Sequence, residues 1–302
     1  MKKVSVIVTT YNSESSINET IKSILEQDGI GVRFQIELIV IDDCSTDQTI
    51  NIISETEATI LSTTGNSGGP NAGRNIGLEH ATGDFICIVD HDDIWNPARI
   101  SKLLPLLDEV PIVSSGFTRI DKSTHRNTDF IKSKSPRLIK YLVNQTFKSV
   151  LTKSSKGQCV YLGSIMYSKK LAHIRFEEHF GCVDYDWLLR IFHNHASQEL
   201  NEPLYVRYVD DENLSLDESY RRKDFYYSLM SLESYQMEFP SETARANRNI
   251  HGTRARYYYQ IGDMQKARTF LLRARLNLKT IAYYITTFVG SGWVKNRFNV
   301  FK

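Results

Sequence analysis

The chain of 302 residues has few cysteines, little net charge and no long apolar run, and each shortage excludes a class of protein. The four cysteines are scattered without a CxxC pair, which predicts free thiols in a reducing compartment and neither a zinc site nor a disulfide framework. A formal charge of +2 gives the molecule no strong field for nucleic acid, so we expect no nucleic-acid partner.

Membrane-spanning and secreted classes are also disfavoured. No apolar stretch reaches the roughly 18 residues that a spanning helix requires. Polar residues at 11–13 interrupt the N-terminal apolar run before a signal-peptide core can form. We therefore expect a cytoplasmic location.

Short β-branched runs alternate with helical periods through the first half of the chain, which is typical of a mostly parallel sheet covered by helices. Strands are predicted at 4–10, 36–43, 58–61, 85–90 and near 111–117. Helices are predicted at 17–25, after a capping box formed by Ser45 and Gln48, at 70–81 and near 97–108.

The second half is less regular. Residues 121–157 are polar and without pattern, so we expect a mobile loop region or irregular helices there. Strand-like residues 158–168, helical residues 184–195 and a strand at 203–209 follow, and only helical periods remain after about residue 219. The chain therefore divides into an α/β domain at 1–218 and a helical C-terminal region at 219–302. Within the latter, residues 260–278 faintly resemble one tetratricopeptide unit, which should dock on a neighbour.

Two clusters of carboxylates follow predicted strands. Asp42 and Asp43 end the second strand, and Asp90, Asp92 and Asp93 end the fourth. Ligands of open α/β sheets bind in the crevice at these carboxyl ends. Three carboxylates within four residues repel one another unless they are neutralised, and hard oxygen ligands suit Mg²⁺ or Mn²⁺. The pattern predicts a divalent metal that bridges phosphate oxygens; the alternative is a solvated acidic turn before a helix.

The glycine-rich stretch GNSGGPNAGRNIG (65–77) has the glycine spacing of a Walker A motif, but Arg74 and Asn75 replace its Lys and Ser or Thr. A helix N-terminus still attracts anions, and Arg74 on its first turns can reach a diphosphate. The glycines at positions 69, 73 and 77 instead indicate a helix packed closely on the sheet. A dinucleotide-binding fold is disfavoured because no glycine follows the first strand.

The segments VSVIVTTYN (4–12), VIDDCSTDQT (40–49) and NSGGPNAGRNIGLEHATGDFICIVDHDD (66–93), in this order and at these distances, resemble the family 2 glycosyltransferases of GT-A fold. The resemblance covers about residues 3–220. It implies a Rossmann-like, mostly parallel sheet flanked by helices, with a nucleotide-sugar-binding half at 1–118 and an acceptor half at 119–218. It also implies that a sugar moves, with inversion, from a nucleotide diphosphate donor, expected to be a UDP-sugar, to an acceptor hydroxyl.

The resemblance assigns roles to single residues. Tyr11 would stack on the base, and Asp43, with Asp42, would accept hydrogen bonds from the base or ribose. The residues expected to bind the donor are Thr9, Tyr11, Asp42, Asp43, Arg74, Asp90 and Asp92. Asp92 and Asp93 would hold Mn²⁺ or Mg²⁺, and His91 is a spacer.

Residues 176–190 (FEEHFGCVDYDWLLR) are similar to the family's acceptor-side motif, in which Asp184 matches the catalytic base. Val183 replaces the usual Glu of that motif. Asp186 is the rival base, and Trp187 would form a wall beside the acceptor or donor sugar. The alternative is that Asp184 caps a helix. As the base, Asp184 would take the acceptor proton while Arg74 and the cation neutralise the leaving diphosphate.

From residue 264 to 302 there is no Asp or Glu, while Lys266, Arg268, Arg273, Arg275, Lys279, Lys295, Arg297 and Lys302 are basic. Aromatic and aliphatic residues at 281–294 lie between these charges. Such a segment predicts peripheral contact with an anionic membrane surface at its inner face, where a lipid-linked acceptor would be found. The alternative is that the segment packs on the catalytic domain.

Two other functions remain open. A nucleotidyltransferase could use the same carboxylates and would release pyrophosphate. A catalytically inactive nucleotide-sugar-binding module is favoured by Val183 alone. The sequence does not identify the acceptor; we expect a glycan, lipid-linked or protein-linked acceptor of the kind used in bacterial-type surface polysaccharide or glycoconjugate synthesis.

Overall fold

The computed structural model describes residues 1–132, 137–154, 157–178, 184–209, 218–290 and 292. The chain divides into two compact units, one formed by Met1–Val150 with Lys156–Arg221 and the other by Leu151–Ser155 with Arg222–Lys302. The first unit is α/β and the second is helical, as the fold class predicted from the sequence requires.

The first half of the α/β unit alternates strands and helices. In chain order its elements are β1 (Lys2–Thr10), α1 (Ile17–Leu25), β2 (Phe34–Asp42), α2 (Thr49–Ser54), β3 (Thr59–Ser62), α3 (Asn71–His80) and β4 (Phe85–Asp90). The continuous Val and Ile runs of β1, β2 and β4 are buried because helices cover both faces of a parallel sheet. Helix α1 buries Ile17, Ile21 and Ile24, which lie on one face.

One predicted helix start is wrong. Helix α2 begins at Thr49 with Gln48 at its N-cap and has no side-chain capping bond. The hydroxyl of Ser45, the predicted cap, donates instead to Asp42 Oδ1 at 2.5 Å. The Asp42 carboxylate, three residues earlier in the chain, therefore binds the hydroxyl predicted to cap the helix.

The second half of the unit contains β5 (Ile94–Trp95), α4 (Arg99–Leu103) continued by a 3₁₀ segment (Leu104–Asp108), β6 (Ile112–Asp121), β7 (Arg126–Phe130), β8 (Leu138–Tyr141), α5 (Gln145–Leu151), β9 (Ile165–Ser168), α6 (Tyr185–Phe192) and β10 (Ser197–Val209). The structure therefore corrects the prediction of a mobile loop region or irregular helices at 121–157, because these residues contain β7, β8 and α5. These strands pair with β6 and β10, and such pairing overrides a polar, patternless sequence.

The strands form one sheet in the order β3-β2-β1-β4-β9-β6-β10-β5, with β7 beside β6 and β8 beside β10. The half from β3 to β4 is parallel, as predicted. Beyond β4 the directions mix, since β9 runs antiparallel to both β4 and β6. Strand β1 lies between β2 and β4, so the winding reverses there and opens a crevice at the carboxyl ends of these strands.

The second unit contains α7 (Glu218–Glu233), α8 (Pro240–Ile261), α9 (Met264–Leu271) and α10 (Leu278–Thr286). Helix α8 ends at Gly262, whose φ of 90° is the left-handed cap conformation, and Asp263 caps α9. A core of Ala255, Tyr258, Tyr259, Ala267, Leu271 and Tyr283 joins α8, α9 and α10. Across the part of the chain that the structure describes, no helix is both long enough and apolar enough to span a membrane.

Candidate active site

The two acidic strand ends meet at one edge of the sheet. Thr10 pairs in register with Asp42, and Thr9 pairs with Asp90. Because neighbouring strands lie about 4.8 Å apart, the ends of β2 and β4 are about 10 Å apart across β1. Asp43, which follows β2, therefore lies at the same sheet edge as the carboxylates that follow β4.

The carboxylates after β2 organise the loops around the crevice. Asp42 is buried and accepts hydrogen bonds from Ser45 N at 2.8 Å and Ser45 Oγ at 2.5 Å, so it closes a turn. Asp43 is partly exposed and accepts from Thr63 Oγ1 at 2.7 Å and from Ser67 N and Oγ at 3.0 Å. A carboxylate has further lone pairs, so Asp43 can still accept a hydrogen bond from a ligand. Asp42, in contrast, is buried and bonded to Ser45, which differs from its predicted contact with the donor.

The end of β1 presents one accessible aromatic ring. Tyr11 is 45% exposed, and Thr9 is buried. The chain turns after Tyr11 because Asn12 adopts a positive φ of 47° and its side chain accepts a hydrogen bond from Thr46 N at 2.8 Å. The ring of Tyr11 is therefore available for stacking, while Thr9 lies beneath it in the sheet.

Two glycines bring α3 onto the sheet. A Cβ at Gly77 would lie 2.4 Å from Ile7 Cγ2, and one at Gly73 would lie 3.0 Å from Thr9 Cγ2. The predicted close packing of this helix is confirmed at both positions, but nothing lies within 4 Å of a Cβ at Gly69. The close approach places Arg74, on the same helix, beside the end of β4.

Arg74 joins the two halves of the site. Its Nη2 lies 2.9 Å from Asp90 Oδ1, and its Nη1 lies 3.1 Å from Asp184 Oδ1. Nη1 also donates to Asn71 Oδ1 at 3.1 Å. Only 2% of the Arg74 side chain is exposed, so in this conformation it binds carboxylates and does not face a diphosphate, which differs from its predicted role.

The carboxylates on either side of Arg74 differ in acidity. Burial alone would raise the pKa of Asp90, but the charge and hydrogen bond of Arg74 outweigh it and hold that pKa below its ordinary value. At Asp184 the partial removal of the carboxylate from water outweighs the opposing charge of Arg74 and raises the pKa. The group at the sheet end is thus the stronger acid, and Asp184 is the better proton acceptor.

Of the three acceptor-side candidates, Asp184 is the one that faces the crevice. It precedes α6 but makes no capping hydrogen bond to that helix, and 37% of its side chain is exposed. Asp186 instead forms an ion pair with Arg190 at 2.7 Å. Trp187 is 1% exposed and donates to Ile174 O at 3.0 Å, so its ring has no free surface for a sugar, contrary to the predicted wall. Val183 lies outside the described residues.

Asp92 and Asp93 carry the features of a metal site. Asp93 is buried, and neither of its carboxylate oxygens has a hydrogen-bond partner among the described residues. Burial, then repulsion from Asp90 and Asp92, raises its pKa well above the ordinary value. Asp92 is partly buried, and its pKa is raised by burial and by Asp90. Such unsatisfied hard oxygens fit a divalent cation.

The protein side chains do not form a complete metal cage. Within the described ranges, no group of three or more His, Cys, Asp or Glu residues converges on one point. Mg²⁺ and similar ions are commonly held by one or two carboxylates together with substrate phosphates and water. The residues at the end of β4 therefore fit an ion that shares its coordination with a phosphate-bearing ligand.

Sequence reasoning missed a second cation at the site, Arg207 on β10. Its guanidinium lies 4.3 Å from the ring centroid of Tyr161, and the Tyr161 hydroxyl donates to Asp90 Oδ2 at 3.4 Å. No residue in the described part of the chain forms an ion pair or hydrogen bond with Arg207. Strand periodicity places Arg207 on the same face of β10 as Tyr205, two residues earlier, but no signal in the sequence places it near the carboxylates.

A third arginine, Arg99, lies in the core near Asp93. Arg99 is fully buried and donates to Ser115 Oγ at 2.9 Å and to Gly163 O at 2.8 Å. A Cβ at Gly163 would lie 2.8 Å from Asp93 Oδ2, so this glycine leaves room for the buried carboxylate. The charge of Arg99 opposes the rise in the pKa of Asp93.

A family model and several proteins of known sequence are similar to parts of this chain. The family model described as "Glycosyl transferase family 2" matches residues 5–192. The poly(ribitol-phosphate) beta-N-acetylglucosaminyltransferase TarS of Staphylococcus aureus is 41% identical over 113 residues, which are 36% of this chain and 19% of that protein. The putative teichuronic acid biosynthesis glycosyltransferase TuaG of Bacillus subtilis is 35% identical over 111 residues, which are 35% of this chain and 42% of TuaG. Each match thus spans less than half of the relative's length.

Solved structures share the fold over most of the chain. The crystal structure of S. aureus TarS 1-349 has a TM-score of 0.68 and 22% identity, covering 94% of this chain and 80% of that one. The same protein in complex with UDP-GlcNAc has a TM-score of 0.67 and 21% identity, covering 94% and 79%. At this level of identity the similarity shows a common architecture, the GT-A fold with C-terminal helices.

Proposed function

The chain belongs to glycosyl transferase family 2, and we propose that it is an inverting, metal-dependent enzyme that transfers a sugar from a UDP-sugar to an acceptor hydroxyl. The observation that carries this proposal is the Arg74 bridge, in which one buried guanidinium contacts both Asp90 and Asp184. Asp90, at the end of β4, and Asp184, whose pKa is raised, are thereby held by the two terminal nitrogens of one guanidinium group. That spacing suits an acceptor oxygen placed between the base and the sugar.

Tyr11 and Asp43 bind the nucleoside in this proposal. The exposed ring of Tyr11 stacks on the base, and the remaining lone pairs of Asp43 accept from the base or ribose. Thr9 lines the floor of the pocket, and Asp90 contacts the ribose. UDP is the expected nucleotide because the related TarS structure was solved in complex with UDP and with UDP-GlcNAc.

We assign the diphosphate to Arg207 and not to Arg74. Arg74 is buried and bonded to carboxylates, whereas Arg207 is partly exposed and forms no ion pair or hydrogen bond with a described residue. Asp92 and Asp93 would hold Mn²⁺ or Mg²⁺, which, when bound, neutralises charge on the departing diphosphate. Arg207 adds a second positive charge on the β10 side of the same carboxylates.

Asp184 is the general base of the proposed reaction. It takes the proton of the acceptor hydroxyl while that oxygen bonds to the anomeric carbon and the bond from that carbon to the diphosphate oxygen breaks. The electron pair leaves with the UDP, and a single displacement inverts the anomeric configuration. A raised pKa makes Asp184 a stronger base than an ordinary aspartate, and Arg74 keeps the carboxylate aimed at the crevice.

The acceptor belongs to a surface polysaccharide in this proposal. Relatives of this chain act, by their names, on poly(ribitol-phosphate) or in teichuronic acid and succinoglycan synthesis. Since these matches cover a minority of each relative, the acceptor of this chain is assigned only to that class. Asp186, held by Arg190, lies on the acceptor side next to the base.

We also propose that the C-terminal helices contact an anionic membrane surface. Ala267, Leu271 and Tyr283 of α9 and α10 are buried in the unit's own core, but Leu278, Ile285 and other apolar residues of the same helices are exposed. Exposed apolar side chains among basic residues, with no acidic ones, suit the headgroup region. Residues 291 and 293–302, the remainder of the predicted membrane-binding segment, lie outside the described residues.

The membrane proposal is tested with vesicles. Co-sedimentation with anionic and with neutral lipid vesicles should show binding to the anionic ones alone, and Ile285→Asp should reduce it. Lys223→Gln, outside the 264–302 segment, is the control for general charge. Equal binding of the wild type to neutral vesicles, or no effect of Ile285→Asp, would refute it.

The catalytic proposal is tested by a panel of nucleotide sugars with Mn²⁺, followed by thermal stabilisation and by product analysis. We expect stabilisation by UDP and a UDP-sugar, and release of UDP. Asp184→Asn should keep UDP binding and lose transfer, and Asp92→Ala should lose the effect of Mn²⁺. Release of pyrophosphate would indicate a nucleotidyltransferase, binding without turnover an inactive binding module, and no response to any donor would refute the proposal.

A further inference from the structure

The first turns of α3 are bonded to the acceptor-side segment of the chain. We propose that Asn71, Arg74 and Asn75, here termed the α3 clamp, are positioning residues that hold residues 174–178 and the base Asp184 in register with the donor site. The inference rests on the proposed function, since it concerns how the base of that reaction is placed.

Asn75 holds the segment by a reciprocal pair of hydrogen bonds. Its Nδ2 donates to Phe176 O at 2.9 Å, and Phe176 N donates to Asn75 Oδ1 at 2.8 Å. Nδ2 also lies 2.8 Å from Glu178 Oε1, and Arg175 Nη1 donates to Asn75 O at 2.7 Å. A side-chain amide that satisfies both backbone groups of one residue fixes that residue much as a neighbouring strand would.

Asn71 and Arg74 extend the same contact. Asn71 Nδ2 donates to Glu177 O at 2.6 Å, and its Oδ1 accepts from Arg74 Nη1 at 3.1 Å. Arg74 Nη1 also reaches Asp184 Oδ1 at 3.1 Å. Asn71 and Arg74 are buried, so water competes little for these bonds. The clamp therefore contacts the chain on both sides of residues 179–183.

The spacing of these residues explains why one helix can do this. Positions 71, 74 and 75 are related as i, i+3 and i+4 and share a helix face. Gly73 and Gly77 bring the same helix against the sheet. Helix α3 packs closely on β1, and Arg74 on this helix contacts both Asp90 and Asp184. One helix therefore fixes the position of the base relative to the strand end that binds the donor. Loss of the clamp should misplace the base and leave the nucleotide pocket intact.

The test compares Asn75→Ala with Asn51→Ala, a matched change on α2, where the Asn51 side chain donates to Gln48 Oε1 at 2.6 Å. Asn75→Ala should bind UDP within twofold of wild type, yet transfer sugar with a kcat about 10- to 100-fold lower, since small misplacement of a catalytic group costs this much. The amide of Phe176 should exchange with solvent faster, because its acceptor is gone. Asn51→Ala should match wild type in every measurement.

Asn75→Asp is the second variant, in case the alanine variant does not fold. It removes both N–H donations but keeps an oxygen that can accept from Phe176 N, so it should show the same fall in kcat with unchanged UDP affinity, while faster Phe176 exchange is expected only in Asn75→Ala. Unchanged kcat in either variant, or unchanged Phe176 exchange in Asn75→Ala, would overturn the proposal, and so would a UDP affinity that falls in parallel with kcat. The exchange measurement requires no activity, so it decides the clamp even if no donor sugar is transferred and the proposed function fails.

Discussion

Replacing Arg207 by glutamine is expected to weaken the binding of UDP while leaving the binding of uridine unchanged. The guanidinium lies 4.3 Å from the Tyr161 ring centroid, and Tyr161 is hydrogen-bonded to Asp90 at the end of β4. Arg207 has no ion pair or hydrogen bond with any residue that the structure describes. Its N–H donors are therefore available for an anion, and glutamine keeps a polar side chain but removes the charge.

The size of the effect follows from the kind of bond that is lost. A hydrogen bond to a charged group contributes about 1.5–3 kcal/mol. Since about 1.4 kcal/mol corresponds to a tenfold change, the affinity for UDP should fall roughly 10- to 100-fold. Arg207 is only partly buried, so the loss should shrink as salt is raised.

The assay is titration calorimetry with UDP, UMP and uridine on wild type, Arg207→Gln and Arg119→Gln. Arg119 pairs with Arg207 across β6 and β10, and its guanidinium lies 5.7 Å from the Phe130 ring. Removing it changes the net charge equally on the neighbouring strand, so Arg119→Gln should resemble wild type. The reasoning is refuted if uridine loses as much affinity as UDP, if UDP binding is unchanged, or if both variants behave alike.

Three further outcomes are expected. Gly77→Ala should lower the free energy of unfolding by about 1–3 kcal/mol, because its Cβ would lie 2.4 Å from Ile7 Cγ2, while Gly69→Ala, with open space around it, should have little effect in denaturant titration. Transfer should be lost as pH falls through a pKa above that of an ordinary aspartate, because Asp184 must be ionised to accept a proton; a kcat profile that stays flat down to pH 4 would contradict this. Chelation by EDTA should abolish transfer and Mn²⁺ should restore it, but not in Asp92→Ala, and EDTA-resistant activity would exclude the metal requirement.

The elements around the crevice could be predicted because their signals are local. β1 and β4 are runs of Val and Ile, and such runs predict buried strands wherever the partner strands lie. The acidic residues at the ends of β2 and β4 directly follow such runs, so their place at the sheet edge could also be predicted. Strands β7 and β8 could not be predicted, because their polar residues acquire strand geometry only by pairing with β6 and β10.

The candidate site divides in the same way. Asp184 could be named from a motif, and its placement beside Arg74 is a contact over 110 residues of chain. Trp187 belongs to the same motif, but whether its ring faces a ligand or the core depends on Phe176, which stacks on it at 4.7 Å. Arg207 carries no motif at all, and its relation to the carboxylates exists only once β10 has joined the sheet.

The sequence by itself determined which residues form strands and helices around the crevice, which carboxylates end those strands, and that glycines allow α3 to lie close to the sheet. These are properties of neighbours along the chain, where periodicity and side-chain volume act directly. Only the tertiary structure decided which charges are paired and which are free. Burial and ion pairing depend on groups distant in sequence, so the contacts of Arg74 with Asp90 and Asp184, and of Arg207 with Tyr161, could be identified only once folding had brought these residues together.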